Sequence, residues 1–394
     1  MTLNIAVIFG GRSVEHEISV ISAHQCIKAL DPNKYQVVPI YISKEGRWYS
    51  GDDFLKLENF CDLEKLLIEN QRIIVNQNSG ITNFYREPTS IFSRRKPINI
   101  DIAFPVMHGT YGEDGSLQGL FEMMNIPYVG CDVLASAVTM DKIVTKMLLQ
   151  AQGIKVLDYF WFYSERWLHE RASIISDIKN KFSYPLIVKP GNLGSSIGVS
   201  AVDADEELED AIDLAIRLSH RVLIEPKIKN LKEVNCAVLG DRDFAEVSVC
   251  EEPIRSDAIL SYGDKYSRGA KNKFGFGGVK SVGGGMSSTQ RKIPAEIPES
   301  LSVKIQEVAK QAFINLNCSG VVRIDFLIDQ DTNEIYLCEL NAIPGSLSFY
   351  LWEPVGKSFT NLTERLIELA LKRHRENNNL IVSYSENILR KWGG

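Results

Sequence analysis

The stretch that decides the fold lies near the C-terminal end: Val321-Val322-Arg323-Ile324-Asp325-Phe326-Leu327-Ile328, a polar turn, then Ile335-Tyr336-Leu337-Cys338-Glu339-Leu340-Asn341. Folded as an antiparallel hairpin about Thr332, it sets Asp325 opposite Glu339 and Arg323 opposite Asn341. Side chains alternate between faces along a strand, so these polar groups share one face while Ile324 and Phe326 point to the other. Directly opposed residues of an antiparallel pair lie about 4.5–5.5 Å apart at Cβ. Two carboxylates that close repel unless something positive lies between them. With an amide oxygen beside them they form a hard-cation site of the kind that holds Mg²⁺ next to substrate phosphates. Arg323 steadies an anion or oxyanion at the same place. A solvated face with a single Arg–Asp pair is the alternative that the hairpin alone leaves open.

At 394 residues the chain exceeds the ~250–300 residues at which a single core stops growing, so two or three domains are expected. Apolar residues at 44% and charged residues at 24% argue for a folded core and against disorder. A net charge of −6 with scattered Lys and Arg gives no footprint for nucleic acid. The N-terminus runs straight into an apolar strand without the layout of a signal peptide, and no stretch approaches the ~20 apolar residues of a membrane span. The seven cysteines are widely spaced, mostly within apolar segments, and never form C-x-x-C. Reduced thiols in a cytoplasmic protein are expected.

Leu3 to Phe9 reads as a buried parallel strand, followed by a Gly10-Gly11 loop, a helix over Val14–Leu30, a strand over Tyr35–Ile42 and another over Ile100–Pro105. This is the rhythm of a doubly wound α/β domain, whose ligands bind beyond the carboxyl ends of the strands. Gly10-Gly11 is no dinucleotide fingerprint. A different segment spans about 140–223, with a helix over Asp141–Gly153, a strand over Pro185–Pro190, a helix over Asp205–Ser219 and a strand over Arg221–Glu225. The helix expected over Pro298–Leu316 carries Ile305, Val308, Ala309, Ala312, Phe313 and Leu316 on one face. Glycine is too dense over 267–292 for helix or strand, which points to a lid or an insert. Beyond Leu371 the chain turns polar before a short tail.

Two loops carry chemistry. Leu186 to Val199 is a strand ending in Lys189 and a Gly/Ser loop, in which backbone N–H groups and the lysine suit phosphates. His108-Gly-Thr-Tyr-Gly-Glu-Asp-Gly115 follows the third strand at the ligand edge, where a histidine flanked by glycines and acids suits function better than packing. Glu15 opens the first helix at the same edge. Glu225 and Glu233 are placed to accept from ribose hydroxyls or to cap a loop.

In this order the pieces resemble the D-alanine–D-alanine ligases of the ATP-grasp superfamily over roughly residues 3–372. The matching motifs are Phe9-Gly-Gly-Arg-Ser-Val-Glu-His-Glu-Ile-Ser19, the His108 loop, Pro127-Tyr-Val-Gly130, Met140-Asp-Lys142, Val188-Lys-Pro-Gly-Asn-Leu-Gly-Ser-Ser196, Lys265-Tyr266, Arg323-Ile-Asp325 and Glu339-Leu-Asn-Ala-Ile-Pro-Gly345. The resemblance implies an N-terminal doubly wound domain (1–139), a two-part ATP-grasp fold (140–223 and 224–373, with the lid at 267–292) and a tail (374–394). It implies ATP held by Lys142, Lys189, Ser196, Glu225, Glu233 and Lys265. It implies two Mg²⁺ ions, replaceable by Mn²⁺, on Asp325, Glu339 and Asn341. Catalytic roles fall to Glu15, Ser195, Tyr266, Arg323, the Gly345 N–H and His108. The implied substrates are ATP and D-alanine, with a homodimer as the implied assembly and no nucleic acid or membrane partner. Two departures stand out. The lid is longer than is usual in the family, and Tyr350 stands where the family usually places a serine for the second substrate's carboxylate. D-alanine is the expected second substrate, with D-serine or another amino acid as the alternative.

Overall fold

The computed structural model describes residues 2–76, 84–88, 95–254 and 291–381. Lys265, Tyr266, the glycine-rich stretch up to residue 290 and the tail from 382 lie outside the described residues.

Strand Leu3–Gly10 pairs in parallel with Tyr35–Ile42 on one side and Ile102–Pro105 on the other. Its residues Ile5 to Phe9 are wholly buried, as a parallel strand covered on both faces requires. Helix His16–Ala29 follows, with Glu15 at its N-cap, so the acid sits at the carboxyl edge of the sheet. The sequence reading did not anticipate a small antiparallel sheet, Ile73–Val75, Phe84–Arg86 and Lys96–Ile98, which packs Phe84 and Ile98 against the outer side of this domain.

The middle segment forms an antiparallel sheet of Phe160–Tyr163, Leu186–Pro190, Ser200–Val202 and Arg221–Pro226. It has a core of its own, in which Trp167, Ile174 and Ile212 of the covering helices meet Val188 and Ile224. The third layer is a five-stranded antiparallel sheet that ends in the hairpin Gly320–Asp329 and Glu334–Asn341. Helix Glu299–Asn315 lies on it, burying Ile305, Ala309, Ala312 and Phe313, with Val308 only partly buried.

The hairpin pairs Arg323 with Asn341 and Asp325 with Glu339, but the register slips by one between Asp325 and Phe326. Phe326 faces Leu337, so Cys338 is the extra residue of a bulge. Ile335 and Leu337 are buried, and strict alternation would bury the side chain at 339 as well. The bulge resets the phase: Leu340 returns to the core, while Glu339 and Asn341 face the same side as Asp325.

The first and third layers share a core. Phe9, Val20 and Phe104 cluster with Val321, Leu351, Trp352, Leu362 and Leu366. The division expected between 1–139 and 224–373 is therefore not a division of the core. The last helix, Phe359–Asn378, also runs past residue 373. Its polar end stays helical because Arg373 donates to the Tyr128 carbonyl at 2.7 Å and stacks on the Tyr128 ring. No helix among the described residues is long and apolar enough to cross a membrane. Because Leu362 joins the two layers, Leu362→Ala is expected to cost about 2–5 kcal/mol in chemical denaturation, the range for emptying a core leucine site. A loss below about 1 kcal/mol would mean that the helix contributes little to the shared core.

Candidate active site

The layers enclose a cavity of about 920 Å³, ample for a ligand. Every candidate residue in the described part of the chain lines it. Glu15 and His108 come from the N-terminal domain; Lys142, Lys189, Ser195, Ser196 and Glu225 come from the middle segment. Glu233, Arg323, Asp325, Glu339, Asn341 and Gly345 come from the C-terminal layer.

The hairpin floor is charge-balanced. Arg323 meets Asp325 through two donors, Nε to Oδ1 at 2.7 Å and Nη2 to Oδ2 at 2.8 Å. Lys142 Nζ lies 2.9 Å from Glu339, and Asn341 Nδ2 donates to Asp325 Oδ2 at 3.2 Å. Lys142 is fixed for this role as the first residue of helix Lys142–Ala151. Asp141 caps that helix by accepting from the Ile143 and Val144 N–H groups, and also pairs with Arg221. Among the described residues no group of three or more His, Cys, Asp or Glu is placed to hold a metal. The donor set is instead two carboxylates and an amide oxygen. Those hard donors fit Mg²⁺, which commonly takes one or two carboxylates and completes its shell with water and substrate phosphates.

Beyond the hairpin, Glu225 is 1% exposed and pairs with both Lys146 and Lys189. Burial alone would push its carboxyl up, but the two ammonium groups bring it down to about 2. The resemblance implies adenine or ribose contacts for Glu225, whose carboxylate here pairs with the two lysines. Ser195 and Ser196 both take left-handed backbone angles, φ 54° and 58°, and Lys142 Nζ donates to the Leu193 carbonyl at 2.7 Å. Turns with such left-handed residues are a common form of anion-binding loop.

At the opposite end Ser195 Oγ donates to Glu15. Glycine is required beside that carboxylate: a Cβ on Gly109, at φ 73°, would stand 2.6 Å from Glu15 Oε2. Glu113 accepts from the Gly109 N–H and the Ile343 N–H, each at 2.8 Å. Burial and the nearby Glu15 raise it to about 8 despite those two donors. His108 is 3% exposed, with Nδ1 at 2.8 Å from the Ile343 carbonyl and Nε2 at 2.9 Å from Ser22 Oγ. The carbonyl fixes the proton on Nδ1, so Nε2 accepts from Ser22, which in turn accepts from the Ser346 N–H at 3.1 Å. His108 thus ties the N-terminal domain to the Gly345 loop, and both ring nitrogens are committed.

Family models for the D-ala D-ala ligase N-terminus and C-terminus match residues 4–131 and 148–368. The D-alanine–D-alanine ligase of Chloroherpeton thalassium is 40% identical, over 94% of this chain and 97% of its own. That of Thermosipho melanesiensis is 40% identical over 98% of both. The chain belongs to the D-alanine–D-alanine ligase family. Among solved structures, the D-alanine–D-alanine ligase of Coxiella burnetii is 32% identical with a TM-score of 0.76, covering 96% of both chains. The VanG D-Ala:D-Ser ligase of Enterococcus faecalis is 33% identical with a TM-score of 0.76, over 94% of this chain and 100% of that one. The fold is accordingly the ATP-grasp fold of these ligases.

For a ligase of this family, the sequence reading passed over Lys146, Glu113 and the buried Glu251. Lys146 lies one helical turn beyond Lys142, on the same face, and that spacing was the available signal. Glu113 sits inside the quoted His108 loop.

Burial depresses His108 to about 4 from an ordinary 6.5, so the unfolded chain takes up its proton first. The stability this neutral ring provides is full above about pH 6.5 and is lost as pH falls toward 4. Denaturant titrations should show wild-type stability falling from pH 7 to pH 5 more steeply than that of His108→Gln. Equal slopes would show that His108 is not the titrating group.

Proposed function

We propose that the chain is an ADP-forming ligase that joins two D-alanines into D-alanyl-D-alanine for peptidoglycan. The observation that carries this reading is the opposed Asp325–Glu339 pair, with Arg323 and Gly345 beside it, in one cavity with Glu15 and the paired lysines. ATP lies between the middle and C-terminal layers, its phosphates against Lys142, Lys189 and the Ser196 turn, with Glu233 toward the ribose. Glu225 acts through Lys189, whose charge and position it fixes. Asp325, Glu339 and Asn341 would hold two Mg²⁺, or Mn²⁺ in their place, whose charge would neutralise phosphate oxygens.

Glu15, braced by Ser195, holds the first amino acid's ammonium. The carboxylate of that amino acid attacks the γ-phosphorus; ADP leaves and an acyl phosphate forms. The amine of the second amino acid then attacks the acyl carbon and phosphate departs. Arg323 and the Gly345 N–H face the oxyanion of that step. ATP chemistry of this kind places the enzyme in the cytoplasm, and we assign it a homodimer.

Tyr350, in the place of the family's usual serine, favours a second reading with the same mechanism but D-serine as the second substrate. Phosphate release with D-alanine, L-alanine, D-serine and D-lactate, singly and in pairs, separates the two. The first reading requires release with D-alanine alone and a matching yield of its dipeptide. Glu339→Gln is expected to abolish most turnover while leaving the fold intact; turnover near the wild-type rate at saturating Mg²⁺ would sink the metal assignment. Arg323→Lys replaces a planar fork by a point charge, and the expected loss is about 10²–10³ in kcat, as for an oxyanion donor. A loss below about threefold would make Arg323 structural.

A further inference from the structure

A row of side chains crosses the C-terminal sheet. Glu251 lies opposite Asn235, Asn235 opposite Asp325, and Asp325 opposite Glu339, on four successive strands. All four residues line the cavity. The Asp325–Glu339 end is the phosphate end. At strand spacings of about 4.8 Å, Glu251 stands about 10 Å away, roughly the span of an acyl phosphate followed by one amino acid.

At that far end Glu251 is 2% exposed. Arg291 Nη1 donates to its Oε2 at 2.7 Å, while Asn235 Nδ2 at 3.0 Å and the Tyr350 hydroxyl at 3.4 Å donate to Oε1. The Arg291 guanidinium lies 4.0 Å from the centre of the Tyr350 ring. It therefore sits over an aromatic ring with a carboxylate beside it. Arg291 is thus one of three donors on the Glu251 carboxylate, with Asn235 and Tyr350. Three cations of the floor pair nearer the phosphates, Arg323 with Asp325, Lys142 with Glu339 and Lys189 with Glu225.

We propose that Arg291 seats the carboxylate of the second amino acid, with Glu251 and Tyr350 as positioning residues behind it. This rests on the ligase reading above. A guanidinium carries five N–H donors in a planar fork that matches a carboxylate. The serine hydroxyl expected from the family is thereby replaced by a cation standing on Tyr350. The incoming amine then points back along the row, toward Arg323 and the acyl carbon.

The test measures Michaelis constants for both D-alanine sites and for ATP in the full chain, with D-alaninamide as a second-site competitor that lacks the carboxylate. Arg291→Gln should raise the second-site constant about 10–100-fold, the range for losing a hydrogen bond to a charged group. The constants for ATP and the first D-alanine should move by less than about threefold. The variant should also lose the preference for D-alanine over D-alaninamide, and Arg291→Lys should regain part of it. An unchanged second-site constant, or a rise in all three constants together with a fall in Tm, would overturn the proposal and make Arg291 a clamp between strands. A wild-type chain that forms no dipeptide from D-alanine would overturn the ligase reading itself, and this proposal with it.

Discussion

Two carboxylates facing each other across a hairpin are the constraint on which the rest of the structure depends. Asp325 and Glu339 cannot share that face unless positive charge is brought to them, and the chain brings it from two directions. Arg323 comes from the same strand. Lys142 comes from the start of a helix in another layer, held there by its cap and by the Asp141–Arg221 pair. The pattern repeats along the floor, where Glu225 takes two lysines and Glu251 takes Arg291. Paired charges shielded from water gain from mutual attraction only when their geometry is good. The middle segment and the C-terminal layer are thus joined at the site itself by the Lys142–Glu339 pair, beside apolar contacts of Leu149 and Val156 with the C-terminal core.

Much of this was legible in the chain. The alternation around Arg323 and Asp325 announced the polar face, the run at Leu3–Phe9 announced the central strand, and the periodicity of 299–315 announced its helix. What stayed hidden had long-range causes. Nothing local marks Phe9 and Leu362 as neighbours, so the core shared by the two ends of the chain could not be seen. The polar run after Leu371 suggested that the helix was ending, but Arg373 finds its partners more than 240 residues away in sequence. His108 looked catalytic because it stands among glycines and acids. The partners of its two ring nitrogens, Ser22 and Ile343, come from two other parts of the chain and carry no local signal. Lys146 was passed over because a buried lysine makes sense only once Glu225 is seen beside it.

The Gly345 loop shows how closely backbone and site are coupled. Ser346, Leu347 and Ser348 all take left-handed angles, with φ between 50° and 54°, a conformation that costs a non-glycine residue roughly 1–2 kcal/mol. The Ser22–Ser346 and His108–Ile343 hydrogen bonds hold the loop there. Such strain persists where surrounding contacts over-determine the backbone. Here it joins Gly345, which lines the cavity, to Tyr350, which is held against Glu251.

The bulge at Cys338 is the feature the hairpin cannot lose. Cys338 is held out of the ladder, between Leu337 on the core side and Glu339 on the cavity side. Drawn into the pairing, it would restore strict alternation through residue 338, turn Glu339 inward and swing Leu340 into the cavity. At this point the enzyme's chemistry is written in the phase of a strand rather than in its letters.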